Sequence, residues 1–294
     1  MSDYIIATSS TSDLPRAWLE EHSVPFIAYS YTVNDEVREE DCREESRAAV
    51  YAEMGRGASV RTSQITEVAY HDFLKGLLDT GKDVIFLDMS RKMSASYENC
   101  ERACEQLRAE YPNRRLCMMD TRCISMGLGL LVAGMVRRME AGESYDEVIG
   151  WGEANKLRIA HRFTVDNLKY LKMSGRVSNT SALVGALLSI KPVLYVSDGG
   201  TLDVVRKARG RKAAVGALLD GVLHDLSKVD AAGVEIHILH ADCRADAEHL
   251  KAEIQKAYPQ LGEVTISSLG TVIGAHCGPG LLAALYFCDG RCPE

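Results

Sequence analysis

Short apolar runs bounded by turn residues alternate, in the first half of the chain, with stretches whose apolar positions recur every three or four residues. The runs at 4–7, 84–87 and 116–119 predict buried strands. Residues 24–33 predict one longer strand reaching a turn at Asn34-Asp35. Between them, Ser12 or Asp13 is positioned to cap a helix with Pro15 in its first turn. Residues 41–54 predict a helix with an acidic first turn, ending at Gly55. The segment 95–111 places Cys100, Ala103, Cys104 and Leu107 on one helical stripe. Residues 125–141 and 145–154 predict two further helices, and Gly127 and Gly129 in the first of them permit close packing. Repeated strand–helix units with apolar strands imply a parallel sheet covered by helices.

The period changes after residue 155. Leu157, Ile159, His161, Phe163 and Val165 alternate with Lys156, Arg158, Ala160, Arg162 and Thr164. A period of two predicts a strand with one buried and one wet face, as in antiparallel sheets. Further strands are predicted at 190–196, 202–206, 234–240, 264–268 and 281–287, with helices at 211–227 and 245–257 and a hairpin turn at Asp198-Gly199-Gly200. The expected fold class is α/β, with a Rossmann-like parallel domain over 1–155 and an α/β domain with a mainly antiparallel sheet over 156–294.

Composition narrows the class of protein. Hydrophobic residues make up 46% of the 294 and charged residues 26%, which are globular values. No apolar run approaches the ~20 residues of a membrane span, and the N-terminus has no basic region followed by a long apolar one, so a soluble, cytoplasmic protein is expected. Nine cysteines without a CxxC pair read as reduced, mostly buried thiols rather than a zinc site. The chain carries −7 overall, yet residues 156–212 hold twelve Lys and Arg against Asp166, Asp198 and Asp203, a local +9. Such a basic segment suits an anion or an acidic partner. Nucleic acid is disfavoured, because no aromatic residues interleave with the basic ones.

Candidate chemistry lies in the loops beyond the strand ends, where ligands of doubly wound sheets bind. These are Thr8-Ser9-Ser10-Thr11-Ser12, Arg61-Thr62-Ser63-Gln64, Ser90-Arg91-Lys92-Met93-Ser94 and Asp120-Thr121-Arg122. Ser94, at the head of a predicted helix, could hold an oxyanion or serve as an N-cap. His276 lies among Gly274, Gly278 and Gly280 and is expected on an exposed, tightly turned backbone, where it could donate to a carboxylate. The P-loop and the dinucleotide fingerprint are both missing their defining residues. Ser94, His276 and Asp120 could form a hydrolase triad in space, although Ser94 is not in a GxSxG elbow. His237 and His240, three apart on a predicted strand, point to opposite faces and read as structural.

The motifs IIATSSTSDLP, RTSQ, MSRKMSASY, DTRCISMGLGLLV, LKYLKMSGRVS, LLSIKPVL, GTLDVVRKARGRKA and IGAHCGPG occur in this order along nearly the whole chain. Together they resemble the DegV family of bacterial fatty-acid-binding proteins. The resemblance implies a parallel α/β domain joined to one with an antiparallel sheet, and one long-chain fatty acid in a tunnel between them. It implies a carboxylate held by Thr62, Ser94 and His276, with Ser63, Ala95, Gly274 and Gly278 in the supporting loops. It further implies a carrier without catalytic residues, cofactor or metal, whose partner, an ATP-dependent fatty acid kinase, makes acyl phosphate for phospholipid synthesis. Arg176 and Arg209 are the positions implicated in docking that kinase. The chain departs from the family pattern at Ser9, Arg91 and Ala95, and carries Leu281, Leu282 and Tyr286 where smaller residues are frequent, which bears on chain-length preference. The readings to weigh against it are a Ser94-dependent acyl hydrolase or transferase, and a carrier of another lipid-like acid.

Overall fold

The computed structural model describes residues 3–176 and 190–291. Val177 and Ser178 of the SGRVS motif, residues 187–189 of LLSIKPVL, and Cys292 lie outside the described residues. The strands are β1 (Tyr4–Ser9), β2 (Phe26–Ile27), β3 (Ser30–Val33), β4 (Glu36–Glu39), β5 (Val60–Thr62), β6 (Asp83–Asp88), β7 (Leu116–Asp120), β8 (Ile159–Thr164), β9 (Ile190–Val196), β10 (Leu202–Arg209), β11 (Ile236–His240), β12 (Val264–Ser268) and β13 (Leu282–Phe287). The helices are α1 (Arg16–Glu21), α2 (Glu44–Gly55), α3 (Glu67–Leu78), α4 (Ser96–Glu110), α5 (Met126–Glu140), α6 (Tyr145–Asn155), α7 (Leu168–Ser174), α8 (Arg211–Leu226), α9 (Arg244–Ala257) and α10 (Thr271–Cys277).

Three sheets result. A parallel sheet runs β2-β1-β6-β7, an antiparallel one β4-β3-β5, and a six-stranded mixed sheet β10-β9-β8-β13-β11-β12 in which only β11 and β12 are parallel. The expected α/β class with a parallel sheet first and a mainly antiparallel one second is what the chain builds. The predicted 24–33 strand, however, is two: β2 joins the parallel sheet and β3 the antiparallel one. Tyr29, whose N–H donates to Ser10 Oγ at 3.0 Å, sits between them. The first helix starts at Arg16 after Pro15, and neither Ser12 nor Asp13 caps it. Asp13 is buried with φ +56°, and Ser10–Ser12 form a single 3-10 turn.

The alternation in β8 is real, but both faces are dry. Ile159, Phe163 and Val165 join the large apolar core shared with the parallel sheet, while Ala160 joins a second core under α8 and α9. Arg162, on the face expected to be wet, is buried and bonds Asp225 of α8 through Nε at 2.6 Å and Nη2 at 2.7 Å. Tyr286 donates to the same carboxylate at 2.7 Å. A charged residue thus fills an inward position because its partner lies on the covering helix. The close packing expected of α5 holds: a Cβ on Gly127 would overlap His161, and one on Gly129 would come within 2.6 Å of Ser12 O. Six of the eight described cysteines are buried and all eight are free thiols.

Part of the central positive charge is neutralised in space. Besides Arg162, Lys191 pairs with Asp166, Arg206 with Asp220 at 3.3 Å and Arg211 with Asp246 at 2.8 Å. Asp220, Asp225 and Asp246 lie outside the basic segment, which is why counting along the chain overstated the charge. Among the described residues, no helix is long and apolar enough to cross a membrane.

Candidate functional site

Where the parallel sheet, β5, α7 and α10 meet, a cavity of about 760 Å³ including its open mouth enters the protein. Thr62, Ser63, Gln64, Ser94, Arg176 and His276 supply polar groups to it. The rest of the wall is mainly apolar, from Met89, Met93, Ile124, Leu171, Leu202, Val272, Ile273 and Cys277. Thr62 is the last residue of β5, and its Oγ1 lies 2.9 Å from His276 Nε2. Ser94 precedes α4 by two residues and accepts the Ser96 N–H at 3.2 Å. The three expected carboxylate ligands therefore converge on one cavity.

His276 is not on an exposed turn. It stands in the last turn of α10, partly buried, and the glycines around it make room. At Gly274 a Cβ would overlap the Tyr51 hydroxyl, and at Gly278, with φ +76°, it would overlap the Tyr170 ring. Tyr51 donates to Leu269 O at 3.0 Å, so Gly274 lets α10 lie against α2. Gly274→Ala should cost about 1–3 kcal/mol through overpacking, read as a lower urea midpoint with an unchanged slope. A variant as stable as the parent would contradict this packing.

The start of α10 is gripped by α2 and the residues before it. Glu40 accepts the Thr271 N–H at 2.6 Å and Arg47 Nε at 3.1 Å, both side chains being 2% exposed. Arg47 Nη1 also donates to Asp13 O at 3.2 Å and Ser268 O at 3.3 Å. Glu44 accepts from Ser268 N and from Ser268 Oγ at 2.6 Å. This buried ion pair, distant in sequence from His276, sets where the imidazole stands.

Beneath Ser94 lies a polar relay that sequence reasoning missed. Tyr70 donates to Asp88 Oδ2 at 2.7 Å, Tyr29 OH lies 3.4 Å from Tyr70 OH, and Ser94 Oγ lies 3.4 Å from Tyr29 OH. Tyr70 gives its proton to Asp88, so the Tyr29 proton is the one left between the two phenols; donated to Ser94 Oγ, it leaves the serine O–H free for a ligand. Asp88 also accepts from Ser9 Oγ at 2.7 Å, and burial raises its carboxyl above the ordinary range. No spacing signal connects Tyr29, Tyr70 and Asp88.

Two of the four polar loops hold no ligand position. The hydroxyls of Thr8, Ser9 and Ser10 are buried and spent on Leu87 O, Asp88 and Tyr29 N. Thr121 is buried and donates to Asp88 O at 2.8 Å. Asp120 accepts the backbone N–H groups of Arg91 and Arg122. None of the hydrogen bonds among the described residues joins Ser94 to His276 or His276 to an acid, so the triad is not assembled. Ala95 is exposed and is not among the residues that line the cavity. Arg176 lines the cavity mouth and donates to Met93 O at 3.3 Å, whereas Arg209 is exposed at the end of β10. His237 Nδ1 is bonded to Thr265 Oγ1 at 2.9 Å.

Burial, and then the Arg176 charge, pull His276 down to about 4, so it is neutral near pH 7. Burial takes the fully buried His161 well below its ordinary value, with Arg291 adding to the effect. Burial pushes Asp13 up to about 6, against the pull of Arg47 and Ser125. A histidine depressed in the folded state stabilises above its unfolded value near 6.5 and loses that contribution as pH falls. Asp13 has the opposite sign, contributing below its unfolded value and losing the contribution as pH rises through about 6. Between about 4 and 6 Asp13 and His276 largely cancel; the raised Asp88 opposes His161, His237 and His240, all lowered by burial, and these histidines set the slope. Stability of the free protein should therefore be lower at pH 5 than at pH 7 by roughly 1–2 kcal/mol, read from urea midpoints. An equal or higher midpoint at pH 5 would contradict neutral His161, His237 and His240.

A polar mouth opening into an apolar interior has the form of a pocket for an amphipathic small molecule. The model of the DegV family, described as uncharacterised, matches residues 4–289, and the chain belongs to that family. A DegV domain-containing protein of Clostridium perfringens is 34% identical over 296 residues, covering 100% of both chains. A DegV lipid-binding protein of Thermotoga maritima superposes with a TM-score of 0.84 at 25% identity, over 99% of this chain and 100% of the other. A fatty-acid-binding DegV family protein of Streptococcus agalactiae gives the same TM-score, identity and coverage.

Proposed function

We propose that the protein encloses one long-chain fatty acid, holds its carboxylate at Thr62, Ser94 and His276, and presents it to an ATP-dependent fatty acid kinase. On this reading residues 1–155 supply Thr62 and Ser94, and residues 156–294 supply His276 and much of the acyl tunnel. The observation that carries it is the convergence of those three side chains on the polar end of one largely apolar cavity. Support also comes from the lipid and fatty acid bound by the Thermotoga and Streptococcus relatives.

The energetics agree. Burying methylenes gains ~0.8 kcal/mol each, so a palmitoyl chain contributes on the order of 10 kcal/mol before ordering costs. A carboxylate withdrawn from water needs donors. Neutral His276, protonated on Nε2, donates to Thr62 Oγ1 and leaves the threonine proton for the ligand; Ser94 supplies a second. The carrier needs no nucleophile of its own. In the kinase complex a carboxylate oxygen attacks the ATP γ-phosphorus, forming the acyl phosphate with ADP as leaving group. Arg176 at the mouth and Arg209 on β10 are the docking cations of this proposal.

Organic extraction of the purified protein followed by mass spectrometry tests the binding step, with close to one long-chain acid per chain expected. An extract without fatty acid, from protein that also fails to take up added palmitate, would overturn the reading. Incubation with a fatty acid kinase and labelled ATP tests the transfer step, which should yield acyl phosphate only when both proteins are present.

A further inference from the structure

The cavity does not end at the mouth's apolar wall. Behind it lies a smaller second chamber, about 360 Å³ including its open space, whose wall shares Ile124, Leu202, Ile273 and Cys277 with the first. The floor of this chamber is the inner face of β8 and β13, where Phe163 lies opposite Ala283 and His161 opposite Leu285.

Two polar residues border the chamber, and both are turned away from it chemically. Ser125 gives its only proton to the buried Asp13 carboxylate. His161 is satisfied on both ring nitrogens, Nδ1 with Ile159 O at 3.0 Å and Nε2 with the Ile124 N–H at 3.3 Å. Gly127, with no room for a Cβ, keeps the imidazole in that place. A hydroxyl or carboxylate arriving here would meet no free donor and would be stranded.

Ala283 is the shallow point of the floor. Its neighbours on the same face of β13 are Leu281 and Leu285, and Phe163 and Leu239 flank it on the adjoining strands. Leu282 and Tyr286 point to the opposite face, into the core under α8, so neither sets chain length as the sequence comparison implied. Leu281 does line the chamber.

Resting on the fatty-acid reading above, we infer that this chamber measures the far end of the acyl chain. Ala283 is its length-determining residue, and the chamber accepts only a tail ending in unsubstituted hydrocarbon. Leucine has three more side-chain carbons than alanine. In a close-packed interior Ala283→Leu should therefore shorten the preferred acid by about three carbons, and Leu285→Ala should lengthen it by about as much.

The test is competitive loading from an equimolar mixture of lauric, myristic, palmitic, stearic and arachidic acids, read by extraction and mass spectrometry. Palmitic acid is compared separately with its omega-hydroxy and dicarboxylic analogues. Expected are opposite shifts in length for the two variants, and a roughly tenfold or greater preference for palmitic acid over either analogue. Both variants keeping the parent's length profile, with native circular dichroism, would overturn the inference, as would equal retention of the analogues. In either case fatty acid is still bound, so the proposed function survives. A parent protein that binds no fatty acid would remove both together.

Discussion

Thr62→Val combined with Ser94→Ala should weaken palmitate binding by about 100-fold or more while leaving chain-length preference unchanged. On the proposed reading each hydroxyl donates to the ionised carboxylate, and such bonds contribute about 1.5–3 kcal/mol apiece. Both face the mouth of the same cavity, so the loss falls on the carboxylate alone. The apolar walls from Ile124 to Ile273 are untouched, which keeps the methylene contribution and its length dependence intact. Valine preserves the branching of Thr62 and leaves His276 Nε2 facing a methyl group in place of the hydroxyl 2.9 Å away. Displacement of a fluorescent fatty acid reads the affinity. A change of less than about threefold would mean that the carboxylate sits elsewhere.

Asp225→Leu should lower folding stability by about 3–5 kcal/mol, a large part of the usual 5–15 kcal/mol total. The carboxylate holds the buried Arg162 through two hydrogen bonds and takes a third from Tyr286. Removing it deprives a guanidinium only 4% exposed of its counter-charge in the middle of the six-stranded sheet. Replacing both partners, as Arg162→Met with Asp225→Leu, should recover most of the loss, because the desolvation cost disappears with the pair. Urea denaturation of the parent, single and double variants measures this. A single variant within about 1 kcal/mol of the parent would contradict a buried, energetically coupled pair.

Much of the secondary structure was legible because its signals are local. The strands β9 and β12 have the predicted bounds, and the stripe Cys100, Ala103, Cys104 and Leu107 is fully buried. The helices α3, α7 and α10 and the short strands β4 and β5 escaped notice. Seven residues of which four are β-branched or glycine carry little helical propensity, and α10 forms because Glu40 holds its first turn and Tyr51 packs against Gly274. The split of residues 24–33 likewise depends on which sheet each half can reach.

For the site, the motifs named Thr62, Ser94 and His276, and these do come together. Serine and threonine do not announce whether a hydroxyl is for a ligand or for the backbone, and the loop from Thr8 to Ser12 turned inward. Tyr29, Tyr70 and Asp88, which lie beneath Ser94, come from three separated segments.

From the sequence alone came most of the longer strands and helices, the change of period near residue 155, and the residue types at the cavity mouth. Tertiary structure alone decided that the second face of β8 is dry, that α2 positions His276, and that Ser125 and His161, beside the second chamber, already have partners. The reason is that periodicity records which side of an element is apolar within a few residues. What covers the other side, and which polar groups already have partners, depends on segments brought together from far along the chain.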